Sequence, residues 1–293
     1  MLTRQKVVLM LLDQLGGTVR RIELVKLAFL LRHETVFRDA HTFYDFVPYK
    51  FGPFSFALYR ELQALERDGY VTDNEESFSL RGATRHLAHE KAEELPWLDQ
   101  CAVKTVVSTY GRMGKDLLVK DVYSRYPWFA TRSELRHLVP AQLPPVARAD
   151  LAVYTVGYEG RSVDGFLDHL LRSGMQAILD VRANPISRKY GFAKRSLSEI
   201  AEKLGLAYHH LPELGIPSEQ RGGLDDFDSY QRLLERYQNE MLPRQTTEID
   251  RLIRLLHQRP SVLVCVEKDV RQCHRGRLAQ AASAKSDLPI IHL

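Results

Sequence analysis

Three carboxylates stand where a side chain could do chemistry: Asp180, Glu213 and Glu267, each at the end of a short apolar run. An ionised carboxylate so placed can orient a water molecule. It can also stabilise positive charge on a sugar as its glycosidic bond breaks. Glu267 leads this set, because Lys268 follows it and a Cys-His-Arg cluster comes soon after. Lys268 also offers an amine for Schiff-base chemistry. The plainer alternatives are structural: Asp180 could hold Arg182 or Arg275 in an ion pair, and Glu213 could cap a turn.

Cations and rings form a second set. From Val181 to Ser198 there are five basic residues (Arg182, Arg188, Lys189, Lys194 and Arg195) and no acidic one. Tyr190 and Phe192 are interleaved with them. Cations neutralise phosphates and rings stack on bases, so the mixture suits a nucleic acid. Tyr158 and Arg161 add to it upstream, and His274 and Arg275 downstream. An ordinary solvated loop is the alternative for each segment alone.

Cys265, Cys273 and His274 raise two further ideas. A metal site is not expected, because the paired Cys-x-x-Cys of structural zinc is absent and only three soft ligands are close in sequence. A nucleophilic thiol at Cys273 could be activated by Arg275 and Arg277. However, the residue six positions on is Ala279, so there is no Cys-x5-Arg phosphate loop. Cys265 reads as strand core. Neither a Gly-x-Gly-x-x-Gly nor a Gly-x-x-x-x-Gly-Lys-Ser/Thr run occurs, so no nucleotide cofactor is expected. Of His209 and His210, strand alternation allows at most one to reach a shared pocket.

The elements that must position these groups follow from the hydrophobic pattern. A chain of 293 residues, 44% hydrophobic and 27% charged, has room for two ordinary domains. Short apolar runs at 151–156, 177–181, 207–211, 262–266 and 289–292 read as strands. Helical patterns near 162–173, 196–204, 227–257 and 275–284 alternate with them. That alternation predicts an α/β domain over 151–293, with a mostly parallel sheet covered by helices on both faces. Ligands of such sheets bind beyond the carboxyl ends of the strands, where the polar residues above fall. The proline-bearing stretch 139–150 reads as a linker.

Residues 1–138 read as helical. Apolar residues at helical spacing stop at Gly16-Gly17, a second helix covers Ile22 to Leu31, and Gly52-Pro53 opens a third. A hairpin follows at Tyr70–Leu80. The stretch YKFGPFSFALYRELQALERDGYV resembles the winged-helix modules of bacterial regulators and antitoxin-like proteins. The resemblance implies a recognition helix at Phe54–Arg67. Its outward face would show Arg60, Gln63 and Arg67, diluted by Glu61, Glu66 and Asp68.

The four strand ends TVGYEGRS, LDVRANPISR, HHLPELG and CVEKDVRQCHR resemble, in order, the motifs of the bacterial and archaeal family called domain of unknown function 488. The resemblance implies the α/β fold and a shared pocket without a settled reaction. Tyr158 stands where related sequences commonly carry histidine, so this ring offers stacking rather than proton transfer.

A formal charge of +4 is mildly basic, and three cysteines without a framework suit a reducing compartment. No apolar stretch approaches the ~20 residues needed to cross a bilayer, and a cytoplasmic protein is expected. The favoured reading is an enzyme acting on DNA, a glycosylase that excises modified or damaged bases, as of foreign DNA, from an extruded nucleotide. Phosphodiester cleavage usually needs metal-holding carboxylates, which the sequence does not display. Two other classes stay open: a DNA-binding regulator that senses a small anion, and a thiol- or phosphate-based enzyme on a small substrate.

Overall fold

The computed structural model describes residues 1–222 and 227–293. It divides into two compact units, Met1–Pro145 and Val146–Leu293. The division falls inside the proline-bearing stretch. Among the described residues no helix is long and apolar enough to cross a membrane.

In the first unit α1 (Thr3–Gln14), β1 (Thr18–Arg20) and α2 (Arg21–Glu34) lead to a hairpin of β2 (Val47–Tyr49) and β3 (Gly52–Phe54). Then come α3 (Phe56–Arg67), β4 (Val71–Asp73) and β5 (Ser77–Leu80). Strands β1, β5 and β4 form an antiparallel sheet in that order. α4 (Arg85–Glu93), α5 (Trp97–Tyr110) and α6 (Lys115–Arg125) pack on α1 and α2.

Two expectations need correction here. Gly52 and Pro53 belong to β3 rather than opening a helix. Gly52 has φ +91°, and a Cβ there would lie 2.3 Å from the Tyr123 ring, so only glycine turns this corner. The helix begins after Ser55, whose hydroxyl accepts from the Leu58 amide at 3.2 Å. Glu61 also does not dilute the outward face of α3. It is buried, and Arg4 Nη2 and Gln5 Nε2 each donate to its carboxylate at 2.6 Å. Arg60, Gln63 and Arg67 are exposed.

The second unit alternates β6 (Val153–Gly157), α7 (Val163–Arg172), β7 (Ala177–Asp180), α8 (Lys194–Lys203) and β8 (Ala207–His210). It continues with α9 (Phe227–Arg236), α10 (Thr246–Gln258), β9 (Ser261–Cys265), α11 (His274–Ser286) and β10 (Ile290–His292). Its five strands are all parallel, in the order β10-β6-β9-β7-β8. The expected helix over 227–257 is two. The chain passes through a π turn at Tyr237–Met241 and a 3-10 turn at Leu242–Arg244, where Pro243 has no amide hydrogen to continue a helix.

Right-handed crossovers put α7 and α8 on one face and α9 to α11 on the other. Leu179 and Leu263 of the sheet pack with Leu233, Leu252 and Leu278 of the latter face. The path from β6 to β7 steps over β9, and the path from β9 to β10 steps back over β6. The chain therefore diverges at β6, β9 and β7, which makes their carboxyl ends the switch point.

Candidate functional site

At this switch point the segment after β9 is pressed onto the end of β6. A Cβ on Gly157 would come within 1.9 Å of the Glu267 carbonyl oxygen, so glycine is required for the approach. The Glu159 amide donates to Val266 O at 2.9 Å, and the Lys268 amide donates to Glu159 Oε2 at 2.8 Å. Arg275 completes the clamp. Its guanidinium, 2% exposed, donates to the Glu267 carbonyl at 2.6 Å and to the Lys268 carbonyl at 3.0 Å. Arg275 was expected to meet nucleic acid or to pair with Asp180. It instead satisfies two carbonyls that would otherwise be left without donors.

The side chain of Glu267 is half-buried among unusual donors. Cys265 Sγ donates to Oε2 at 3.2 Å, and the Tyr230 hydroxyl donates to Oε1 at 3.3 Å. Burial pushes this carboxyl up, but hydrogen bonds from the Cys273 thiol, its own backbone amide and the Cys265 thiol, with the His274 ring nearby, outweigh burial. The net shift is downward. The neighbouring cations are not the cause: Arg275 is on the backbone, and the Lys268 side chain is exposed.

Cys265 and Cys273 are buried, and so is His274. Burial pushes the Cys273 thiol well up, reinforced by Cys265. This corrects the expectation that Arg275 and Arg277 would activate it. His274 was expected at phosphate or base; it is 2% exposed and points inward. Its Nε2 lies 3.0 Å from Val181 O, and its Nδ1 lies 3.7 Å from Cys265 Sγ. Beside the Cys273 wall is a groove of about 420 Å³, also lined by Val270, Arg271, Gly276, Arg277 and His292.

Asp180, one strand over on β7, is spent on structure. It is fully buried, and its oxygens take Arg182 Nε at 2.8 Å, Arg182 Nη2 at 2.5 Å and the Tyr208 hydroxyl at 2.6 Å. Arg182 also donates to Tyr158 Oη at 3.0 Å and Phe192 O at 2.8 Å. Asp180 therefore is not a second catalytic carboxylate, and Arg182 is not a phosphate contact. Tyr158 and Phe192 are corrected with them. Both are buried and stack on each other, with centroids 4.0 Å apart and 13° between planes, which leaves no ring face for a base. His210 Nε2 meets Arg182 O at 2.9 Å, so this ring serves the same cluster.

The remaining candidates are more open. Arg188 and Lys189 are exposed, and Arg161 and Tyr190 are half-buried. Lys189 Nζ reaches Tyr158 O at 3.3 Å. Glu213 is exposed on the 3-10 turn Pro212–Leu214 beyond β8. That strand is two places from β9, roughly 10 Å at ordinary strand spacing. Tyr230 and Tyr208 were missed, since neither sits in a motif. The convergence of Cys265, Cys273 and His274 did leave a signal, three soft ligands within ten residues, that sequence spacing alone discounted.

With the strand ends in place, the comparison with protein families is informative. Residues 162–282 match the family model described as Domain of unknown function DUF488. The match lies wholly within the second unit. The match takes in Asp180, Cys265, Glu267, Cys273 and His274, and begins just after the Gly157–Arg161 turn. None of the curated proteins compared with the chain matches it. The DUF488 description assigns no reaction, so the chemistry must be argued from the site.

Proposed function

We propose that this protein is an enzyme acting on DNA, a glycosylase that hydrolyses the N-glycosidic bond of an extruded, modified or damaged nucleotide. The observation that carries this reading is the state of Glu267. It is a half-buried carboxylate at the switch point of the sheet, and hydrogen bonds from the Cys273 thiol, its own backbone amide and the Cys265 thiol outweigh burial and hold its pKa below the ordinary value. Such a charge can stabilise an oxocarbenium-like sugar and hold the attacking water. Arg188, Lys189 and Tyr190 supply exposed cations and a partly exposed ring in the same unit. The order α1-β1-α2-α3-β4-β5, with its three-stranded sheet, supports reading the first unit as a winged helix. In that reading Arg60 and Arg67 of α3 face duplex DNA.

The test uses the full chain with duplexes bearing single modified or damaged bases, followed by alkali. Strand breaks that appear with the wild type and are lost with Glu267→Gln are the expected result. Breaks unaffected by that substitution would overturn the role of Glu267. A gel shift with no breaks on any substrate would instead indicate a DNA-binding regulator.

A further inference from the structure

We propose that Cys265, Cys273 and His274 form a zinc-binding site with the Glu267 carboxylate at its border. The donor atoms of the three residues lie within 4.8 Å of one another, and all three residues are buried. Tetrahedral zinc has bonds of about 2.3 Å to sulfur and about 2.1 Å to nitrogen, which places neighbouring S and N donors about 3.6 Å apart. Cys265 Sγ and His274 Nδ1 are 3.7 Å apart. The edge of the polyhedron is thus already formed.

The ring is also oriented as a metal ligand. A carbonyl can only accept, so the 3.0 Å contact with Val181 O puts the proton of His274 on Nε2. That leaves the Nδ1 lone pair facing the sulfurs, the arrangement by which an outer carbonyl fixes the tautomer of a ligating histidine. The edge of Tyr237 packs on the same ring, with centroids 5.5 Å apart, and helps hold it. Two thiols and an imidazole are a soft donor set that selects zinc over magnesium or calcium.

Charge points the same way. Two buried thiolates would be costly alone, but with a divalent cation the set is neutral. Cys273 caps the N-terminus of the 13-residue helix α11, where the helix dipole also favours a thiolate. The protons now shared with Glu267 would leave as zinc binds. The carboxylate touches the set from one side, through the thiols, and so stands beside the metal rather than among its three protein ligands. The groove lined by Cys273 gives the ion a way in. The site does not depend on the glycosidic reading, because it can be read without substrate.

The experiment measures zinc bound per chain by elemental analysis, after reduction of the full-length protein and equilibration with buffered zinc. Cobalt substitution then reports thiolate ligation through its charge-transfer bands. The expected result is one zinc per chain and thiolate-to-cobalt bands. Cys265→Ser, Cys273→Ser and His274→Asn should each weaken binding by more than the about 10–100-fold typical of losing an outer partner. Cys101→Ser and Glu267→Gln should retain stoichiometric zinc. Circular dichroism identifies any variant that fails to fold. For such a variant, competition of wild-type zinc against thiol alkylation replaces it, and zinc should protect two of the three thiols. The proposal is overturned by reduced, folded wild type that takes up no zinc. It is equally overturned by zinc retained in both serine variants, or by a Cys265–Cys273 disulfide that survives the reduction. Zinc lost in Glu267→Gln as fully as in the cysteine variants would overturn the three-ligand form.

Discussion

Two carboxylates end adjacent strands of one sheet, and their surroundings have made them different objects. Asp180 on β7 meets the guanidinium of Arg182 and the hydroxyl of Tyr208, so its lone pairs are consumed by partners that are themselves held. Glu267, just past β9, receives two thiols, its own backbone amide and one long tyrosine contact at 3.3 Å. Weak donors leave it ionised and still able to accept a better partner. The lesson is that position at a switch point selects candidates, whereas the strength of existing partners separates structure from chemistry.

The largest expected effect tests the structural half of that contrast. Asp180→Ala leaves the Arg182 charge buried, and breaking such a pair costs about 3–5 kcal/mol. Urea unfolding followed through the second unit should show a loss of that size. A loss under about 1 kcal/mol would mean that Arg182 finds another partner and that the two carboxylates are less different than argued. Glu267→Gln should do the reverse. Stability should change little, while turnover on a cleaved duplex falls by at least ~10²-fold.

A titration sharpens the same point. The carboxyl of Glu267 lies below its ordinary value of 4.5, so it stays charged as pH falls through that value. Its contribution to stability is present above the unfolded-state value and is lost only as pH falls through the lower folded one. Turnover should therefore hold through mildly acidic pH and fall below the ordinary glutamate range. An acid limb centred near 6 would mark a different group.

The fold was legible because its signals are local. Short continuous apolar runs rich in β-branched residues, such as Val262–Cys265, read as buried strands, and the proline-bearing stretch at 139–150 announced itself by lack of periodicity. Pairing was not legible. Arg182 and Arg188 look alike in the sequence, yet one faces a buried aspartate two residues back and the other faces solvent. Tyr158 and Phe192, 34 positions apart, stack only because the loop after β7 folds back beside β6. Cys265 and Cys273 are brought together by the turn between β9 and α11, which a search for Cys-x-x-Cys spacing does not see. Glu61 followed the same rule in the first unit: its helix position looked outward until Arg4 and Gln5 of α1 claimed it.

The exposed loop provides a smaller effect. If Arg188 and Lys189 contact phosphates, replacing both by alanine should weaken binding equally for all duplex sequences. It should also flatten the salt dependence by about one unit per lost contact. An unchanged slope would return the loop to a solvated surface and leave the duplex to the first unit alone.

The smallest effects come from the two tyrosines, and they divide the carboxylates most cleanly. Tyr208→Phe and Tyr230→Phe each delete one hydroxyl donated to a carboxylate. The Tyr208 bond to Asp180 is short, at 2.6 Å, and to a buried charge, where a hydrogen bond contributes about 1.5–3 kcal/mol. Its loss should appear as instability with turnover of the folded fraction unchanged. The Tyr230 bond to Glu267 is longer and half-exposed, so stability should barely respond. Removing a donor from the ionised form raises the pKa of its acceptor, so the acid limb of turnover should move up in pH. Turnover at neutral pH should fall less than about tenfold, the equivalent of 1.4 kcal/mol. If instead Tyr208→Phe moves the acid limb and Tyr230→Phe only destabilises, Asp180 is the reacting carboxylate and Glu267 the structural one.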